Sequence, residues 1–125
     1  MSMKPFHESD FSTFQRYLKS EGFPEFKQLP KKITHTDHGA RRPNEYKIIE
    51  QWLLPRSDIA QSGIFYVIQR FDTGKGYGNR IRVAYYRIEE EGKFKGTWRY
   101  RRSCPWYTRK DLVEIVPLLE KLRHK

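Results

Sequence analysis

The sequence predicts an α+β fold: a three- or four-stranded antiparallel β-meander with an N-terminal and a C-terminal helix packed on one face. Three observations lead there. Apolar residues recur at helical spacing near both ends of the chain, and two segments in its second half alternate with period two. The 125 residues include 8 Phe, 8 Tyr and 3 Trp, enough aromatic volume for one core. A chain of this length makes a single domain, with a helix in residues 1–23, an irregular basic connector over 24–44, and a sheet plus helix in 45–125.

The first element is a helix over Ser9–Glu21. Phe11, Phe14 and Leu18 share a face with Tyr17 beside them, and Ser9 or Asp10 can cap the free amides. Gly22 supplies a left-handed stop and Pro24 prevents continuation. Residues 24–44 contain Pro24, Pro30 and Pro43 and no periodicity, which predicts irregular chain. Glu45–Leu54 fits two states. A helix would bury Tyr46, Ile49, Trp52 and Leu53, with Asn44 as cap and Pro55 as stop. A strand would align Tyr46, Ile48, Trp52 and Leu54, interrupted by Glu50.

Ile64–Phe71 is rich in β-branched and aromatic residues and predicts a strand. Arg80–Glu89 alternates, with Ile81, Val83 and Tyr85 on one side and Arg80, Arg82, Ala84 and Tyr86 on the other. Lys93–Arg102 alternates too, which predicts Phe94, Trp98 and Tyr100 on a buried face and Lys95, Arg99 and Arg101 on an open one with Arg80 and Arg82. Gly92 ends the turn between these two strands, where positive φ is needed. A helix over Arg109–Arg123 closes the chain. Thr108 and Asp111 form its capping box, Leu112, Ile115, Val116, Leu119 and Leu122 its apolar stripe, and Pro117 should kink it.

Charge carries the functional signal. The formal net charge is +10, and two windows hold all of the excess. Residues 31–47 carry Lys31, Lys32, Arg41, Arg42 and Lys47 against Asp37 and Glu45. Residues 80–110 carry ten basic side chains against Glu89, Glu90 and Glu91. Clustered cations suit a polyanion, because each neutralised phosphate releases condensed counterions. The expected nucleic-acid contacts are Arg80, Arg82, Tyr86, Lys95, Arg99 and Arg101 on the sheet, with Arg41 and Arg42 from the connector. Lys75 and Tyr77 join them from the glycine-rich loop over residues 72–79, where backbone can approach a phosphate. That loop lacks the Walker and dinucleotide spacings.

Other chemistry has little support in the residues. His35, Asp37 and His38 lie close together but lack a third ligand at metal-binding spacing, so no metal and no cofactor are expected. Cys104 is the sole cysteine, which excludes an internal disulfide and fits a reducing cytoplasm. No run approaches the roughly 18 apolar residues of a membrane span, and no apolar leader follows Met1–Pro5. Trp106 is expected to close the core beneath the last helix.

Two resemblances add to this reading. The order of sheet then helix in residues 64–123 resembles nucleic-acid modules that bind through a basic sheet, including Whirly-type single-strand binders and double-stranded-RNA-binding domains. The start Thr108-Arg109-Lys110 is similar to the lysine-rich helix start of the latter. The string from Arg80 to Ile88 resembles the central strand of ribosome-dependent RNA-cleaving toxins, with Ala84-Tyr85 where that family has Gly-Asp. That resemblance implies Arg82, Arg87 and a tyrosine, Tyr86 or Tyr107, as cleaving residues. Taken whole, the sequence predicts a non-enzymatic nucleic-acid-binding protein. An acidic protein surface is the alternative partner, and an unpaired edge strand leaves room for a homodimer.

Overall fold

The computed structural model describes residues 5–35, 39, 41–55, 63–73, 79–103 and 106–123. The chain forms β1 (Phe6–His7), a 3-10 turn (Glu8–Asp10), α1 (Phe11–Ser20), β2 (Lys32–His35), β3 (Asn44–Pro55), β4 (Ile64–Asp72), β5 (Asn79–Ile88), β6 (Trp98–Ser103) and α2 (Arg109–Arg123). The class is the expected α+β, with six antiparallel strands rather than three or four. Their order is β1-β3-β4-β5-β6, and β2 pairs the first residues of β3.

Local chemistry sets the ends of α1. Phe23 N–H donates to Leu18 O (2.9 Å) and Gly22 N–H to Lys19 O (3.1 Å), with Gly22 at φ 79°. This closes the orphan carbonyls around a left-handed residue, as Gly22 predicts. The start differs. Neither Ser9 nor Asp10 caps with its side chain; His7 Nδ1 accepts from Ser9 N–H (3.2 Å), and the first turn is 3-10.

The 24–44 connector is not wholly irregular, because Lys32–His35 pairs with β3. Four residues with one buried side chain, Ile33, are too few to show a period. The ambiguous 44–55 segment is a strand, with an irregularity in register between Ile48 and Glu50. The shift reverses the alternation. Ile48 is buried, and beyond it Gln51, Leu53 and Pro55 are buried while Trp52 is exposed. An extra residue in one strand of a ladder turns every later side chain to the other face.

α1 and the chain that follows it cover one side of the sheet, here called the inner face. Phe14 and Leu18 from α1 join Phe26, Leu53, Phe65, Val67 and Trp98 in the larger cluster. Phe65 is its centre, within ring contact of Phe14, Phe26, Tyr86 and Trp98 at 4.8–5.4 Å. Ile33, Ile48 and Phe71 form a second cluster, closed by Tyr46 and Trp106. Trp106 therefore closes a core as expected, although against β4 and Tyr46.

The C-terminal helix spans Arg109–Arg123 without a break at Pro117; its first turns meet β5, with Leu112 and Ile115 half-buried, but its apolar stripe is not covered by the sheet as predicted. Val113, Val116, Leu118, Leu119 and Leu122 remain exposed. α1, the segment after it and Trp106 already cover both apolar clusters of the inner face, so the stripe finds no apolar partner there. Pro117 is tolerated because Val113, whose carbonyl loses its donor, is exposed to water. No described helix is long and apolar enough to cross a membrane.

Candidate nucleic-acid interface

Directly paired residues in an antiparallel sheet share a face, so the register assigns a side to Arg70, Arg80, Arg82, Arg87 and Arg99. Four rows face inward: Ile48–Phe71–Arg80, Gln51–Gln69–Arg82, Leu53–Val67–Ala84, and Pro55–Phe65–Tyr86–Tyr100. Four rows face outward: Glu50–Arg70–Ile81, Trp52–Ile68–Val83, Leu54–Tyr66–Tyr85, and Ile64–Arg87–Arg99. The period-two separation within β5 is as predicted, but the buried side is the opposite one. Arg80 and Arg82 lie on the side that α1 covers, and Arg99 lies across the sheet from them. The expected single basic face is two.

On the inner side the predicted contacts are already engaged. Tyr86 lies parallel to Phe65 (5.4 Å, 10°), and burial, partly offset by Arg82, pushes its phenol pKa up. It is a core residue rather than a platform for a base. Arg82 Nε–H donates to Gln69 Oε1 (2.7 Å), Gln69 Nε2 to Gln51 Oε1 (3.2 Å), and Gln51 Nε2 to Pro30 O (2.8 Å). Arg82 can only donate and Pro30 O can only accept, so the two ends orient both buried amides. This polar row runs between the two apolar clusters. The Arg82 guanidinium lies 5.5 Å from the Tyr100 ring centre.

Arg101 sits at the register shift between β5 and β6 and pairs with Glu89 at 2.7 Å. Arg41 and Arg42 are exposed in the segment joining β2 to β3. Lys75, Tyr77, Asp37, His38 and Cys104 lie outside the described residues. His35 is on β2, with its ring 4.6 Å from that of Trp106. Among the described residues no group of three metal-ligating side chains converges. The residues implied by the toxin resemblance do not come together: Arg82 and Tyr86 point inward, Arg87 points outward, and Tyr107 pairs its backbone with Ile81.

The outer side gathers groups the sequence reading passed over. Arg87 and Arg99 stand directly opposite each other across β5 and β6. The next row holds Tyr66 and Tyr85, half-buried, outside both hydrophobic clusters, and with no ring contact or side-chain hydrogen bond to another described residue. Trp52 follows one row on and is 39% exposed. At the end of this face the turn between β5 and β6 presents Lys93, Phe94 and Lys95. Phe94 was expected in the core and is 43% exposed, because the residues before Trp98 form a tight turn instead of strand. Gly92 and Gly96 both take positive φ, and Phe94 O accepts from the Thr97 N–H and hydroxyl. The Arg99 guanidinium lies 3.8 Å from the centre of the Phe94 ring, and Lys93 Nζ lies 5.8 Å from it. The fixed turn thus holds an exposed ring beside cations.

Arg80 adds to the field at the start of α2, where the capping box forms as its sequence predicts. Thr108 N–H donates to Asp111 Oδ2 (2.8 Å) and Asp111 N–H to Thr108 Oγ1 (3.0 Å). The hydrogen bond from the Thr108 backbone, then that from its hydroxyl, and more weakly Arg80 and Lys110, hold the Asp111 carboxyl below its usual range. A depressed folded-state pKa means the cap's contribution is complete above the unfolded value of about 4 and is lost as pH falls through the folded one. Circular dichroism should therefore show helicity lost below about pH 4, and Asp111→Asn should lack that component. Equal acid responses in the two proteins would rule the cap out as its source.

Comparisons with protein-family models, with curated proteins and with solved structures find no match to this chain.

Proposed function

We propose that this protein binds nucleic acid through the outer face of its sheet, with Arg87 and Arg99 taking phosphates and Tyr66, Tyr85 and Trp52 meeting bases. The observation that carries the reading is the Arg87–Arg99 pair beside the tyrosine row. Like charges directly opposite in a ladder repel each other, and a phosphate between them removes that cost. Half-exposed rings one row away suit the flat faces of unpaired bases. Lys93, Lys95 and Phe94 extend the same surface at the turn. No metal or cofactor enters this reading.

A second reading, an acidic protein surface, has one observation in its favour. Carboxylates of this chain already sit against Arg87 (Glu90, 3.6 Å) and Arg101 (Glu89, 2.7 Å).

Fluorescence anisotropy with labelled single- and double-stranded DNA and RNA tests the proposal across a salt series. Affinity should fall linearly on logarithmic axes as salt rises. Arg87→Ala/Arg99→Ala should reduce that slope by roughly one per phosphate contact removed. Its stability should stay within about 0.5 kcal/mol of the parent, since both side chains are exposed. Binding unchanged in this variant would exclude the outer face. No binding to any of the four probes at low salt would leave the acidic protein surface as the better reading.

A further inference from the structure

We propose that α2 is a self-association element whose apolar stripe docks antiparallel against the same stripe of a second copy of this chain. The inference stands apart from the nucleic-acid reading and uses a different surface. Leu112, Ile115, Leu119 and Leu122 follow the alternating three- and four-residue spacing of a coiled-coil seam, flanked by Val116 and Leu118. Leu112 and Ile115 are half-buried, whereas Val113, Val116, Leu118, Leu119 and Leu122 are 48–68% exposed. Val113 lies on the far side with Pro117, so Val116, Leu118, Leu119 and Leu122, with the exposed parts of Leu112 and Ile115, present on the order of 500 Å² of apolar surface, within the range of the largest patch on a soluble monomer. Two copies covering this patch for each other would bury roughly 1,000 Å², the lower bound for a specific interface.

Charge selects the occupant. Four basic residues on α2 (Arg109, Lys110, Lys121, Arg123) are nearly balanced by three acidic ones (Asp111, Glu114, Glu120), although the whole chain carries +10. The apolar stripe therefore lies on a nearly neutral element, which repels a second copy less than the two basic windows do. A foreign acidic partner would favour a cationic helix, and helices that lie on anionic membranes carry polar faces dominated by Lys and Arg. Glu114 and Glu120 argue against both. A nucleic acid has no surface to cover leucines. At about 100° per residue Pro117 falls opposite Leu112 and Leu119, so the backbone it leaves without a donor stays in water rather than in the contact. A twofold axis crossing the stripe makes the same residues serve both sides of the interface.

Sedimentation equilibrium of the full chain, over micromolar to several-hundred-micromolar concentrations without nucleic acid, tests the proposal. The mass should rise with concentration from 15.2 kDa towards twice that value. Leu119→Glu/Leu122→Glu should weaken association by on the order of 100-fold or more and leave the circular dichroism of the fold intact. Val116→Lys/Leu118→Lys, at the flank, should act the same way and covers the case in which the first variant fails to fold. A wild-type chain that stays at 15.2 kDa throughout overturns the proposal, as does a dimer that both variants leave undiminished. Retention of the wild type, but not the variants, on phosphatidylglycerol vesicles would also overturn it, by making lipid the occupant.

Discussion

Phe65→Ala is expected to unfold the domain or bring it to the edge of unfolding. Phe65 is fully buried on the central strand of the sheet. It touches one ring from α1 (Phe14), one from the segment after it (Phe26), one from β5 (Tyr86) and one from β6 (Trp98). Truncating a buried phenylalanine costs roughly 3–5 kcal/mol, from lost transfer energy and from the cavity left behind. The site cannot collapse to refill that cavity, because its neighbours belong to separate elements, and Trp98 is further held by its indole N–H on Pro24 O (2.8 Å). Stability of domains this small is commonly 5–15 kcal/mol, so the change removes a large part of it. Urea unfolding followed by tryptophan fluorescence reads the shift in midpoint. A loss below about 1 kcal/mol would show that α1 is not held on the sheet through this ring.

Gln69→Met is the second large effect, and here the cause is polar. The substitution keeps the volume but removes the acceptor of Arg82 Nε–H and the donor to Gln51 Oε1. Gln51 is 3% exposed, so its oxygen is left without a partner away from water. An abandoned buried polar group costs about 1–3 kcal/mol, and more when the other partner is charged, which puts the loss at roughly 2–4 kcal/mol. The sharper outcome concerns the pair. Gln51→Leu/Gln69→Met removes both amides together, so it should cost less than the sum of the two single variants. Additive losses in urea unfolding would mean that the two glutamines do not act as one hydrogen-bonded row.

Most of the elements are legible in the residues alone. The spacing of Phe11, Phe14 and Leu18 with Gly22 after it marks α1. Thr108 and Asp111 with the stripe beyond them place α2 at Arg109–Arg123. β4 and β5 each match their predicted spans to within a residue or so. These features are local: the helix period, the cap and the positive-φ glycine act within one turn of chain. β2 was not legible, because its single buried residue, Ile33, owes its place to Ile48 and Phe71 far along the chain. The residues before Trp98 misled for a related reason. Lys93–Thr97 alternates like a strand, yet Gly92 and Gly96 close it into a turn.

The candidate site divides along the same line. From the sequence alone came the cationic excess, its confinement to two windows, and the separation of Ile81, Val83 and Tyr85 from Arg80, Arg82, Ala84 and Tyr86. Which of those two sides met the core was a tertiary decision. β4 offers an apolar set on either side, Phe65, Val67 and Phe71 or Ile64, Tyr66 and Ile68, so its own pattern is nearly silent. α1 settled the choice by inserting Phe14 against Phe65, where Ala84 leaves room beside Val67. Arg82 could then be accommodated inside because Gln69 stands in the same row to accept its Nε–H, and Gln51 in turn accepts from Gln69. Arg87 and Arg99, with Tyr66 and Tyr85, were left outside. Side-chain alternation is a property of one strand, whereas burial depends on which layer arrives to cover it.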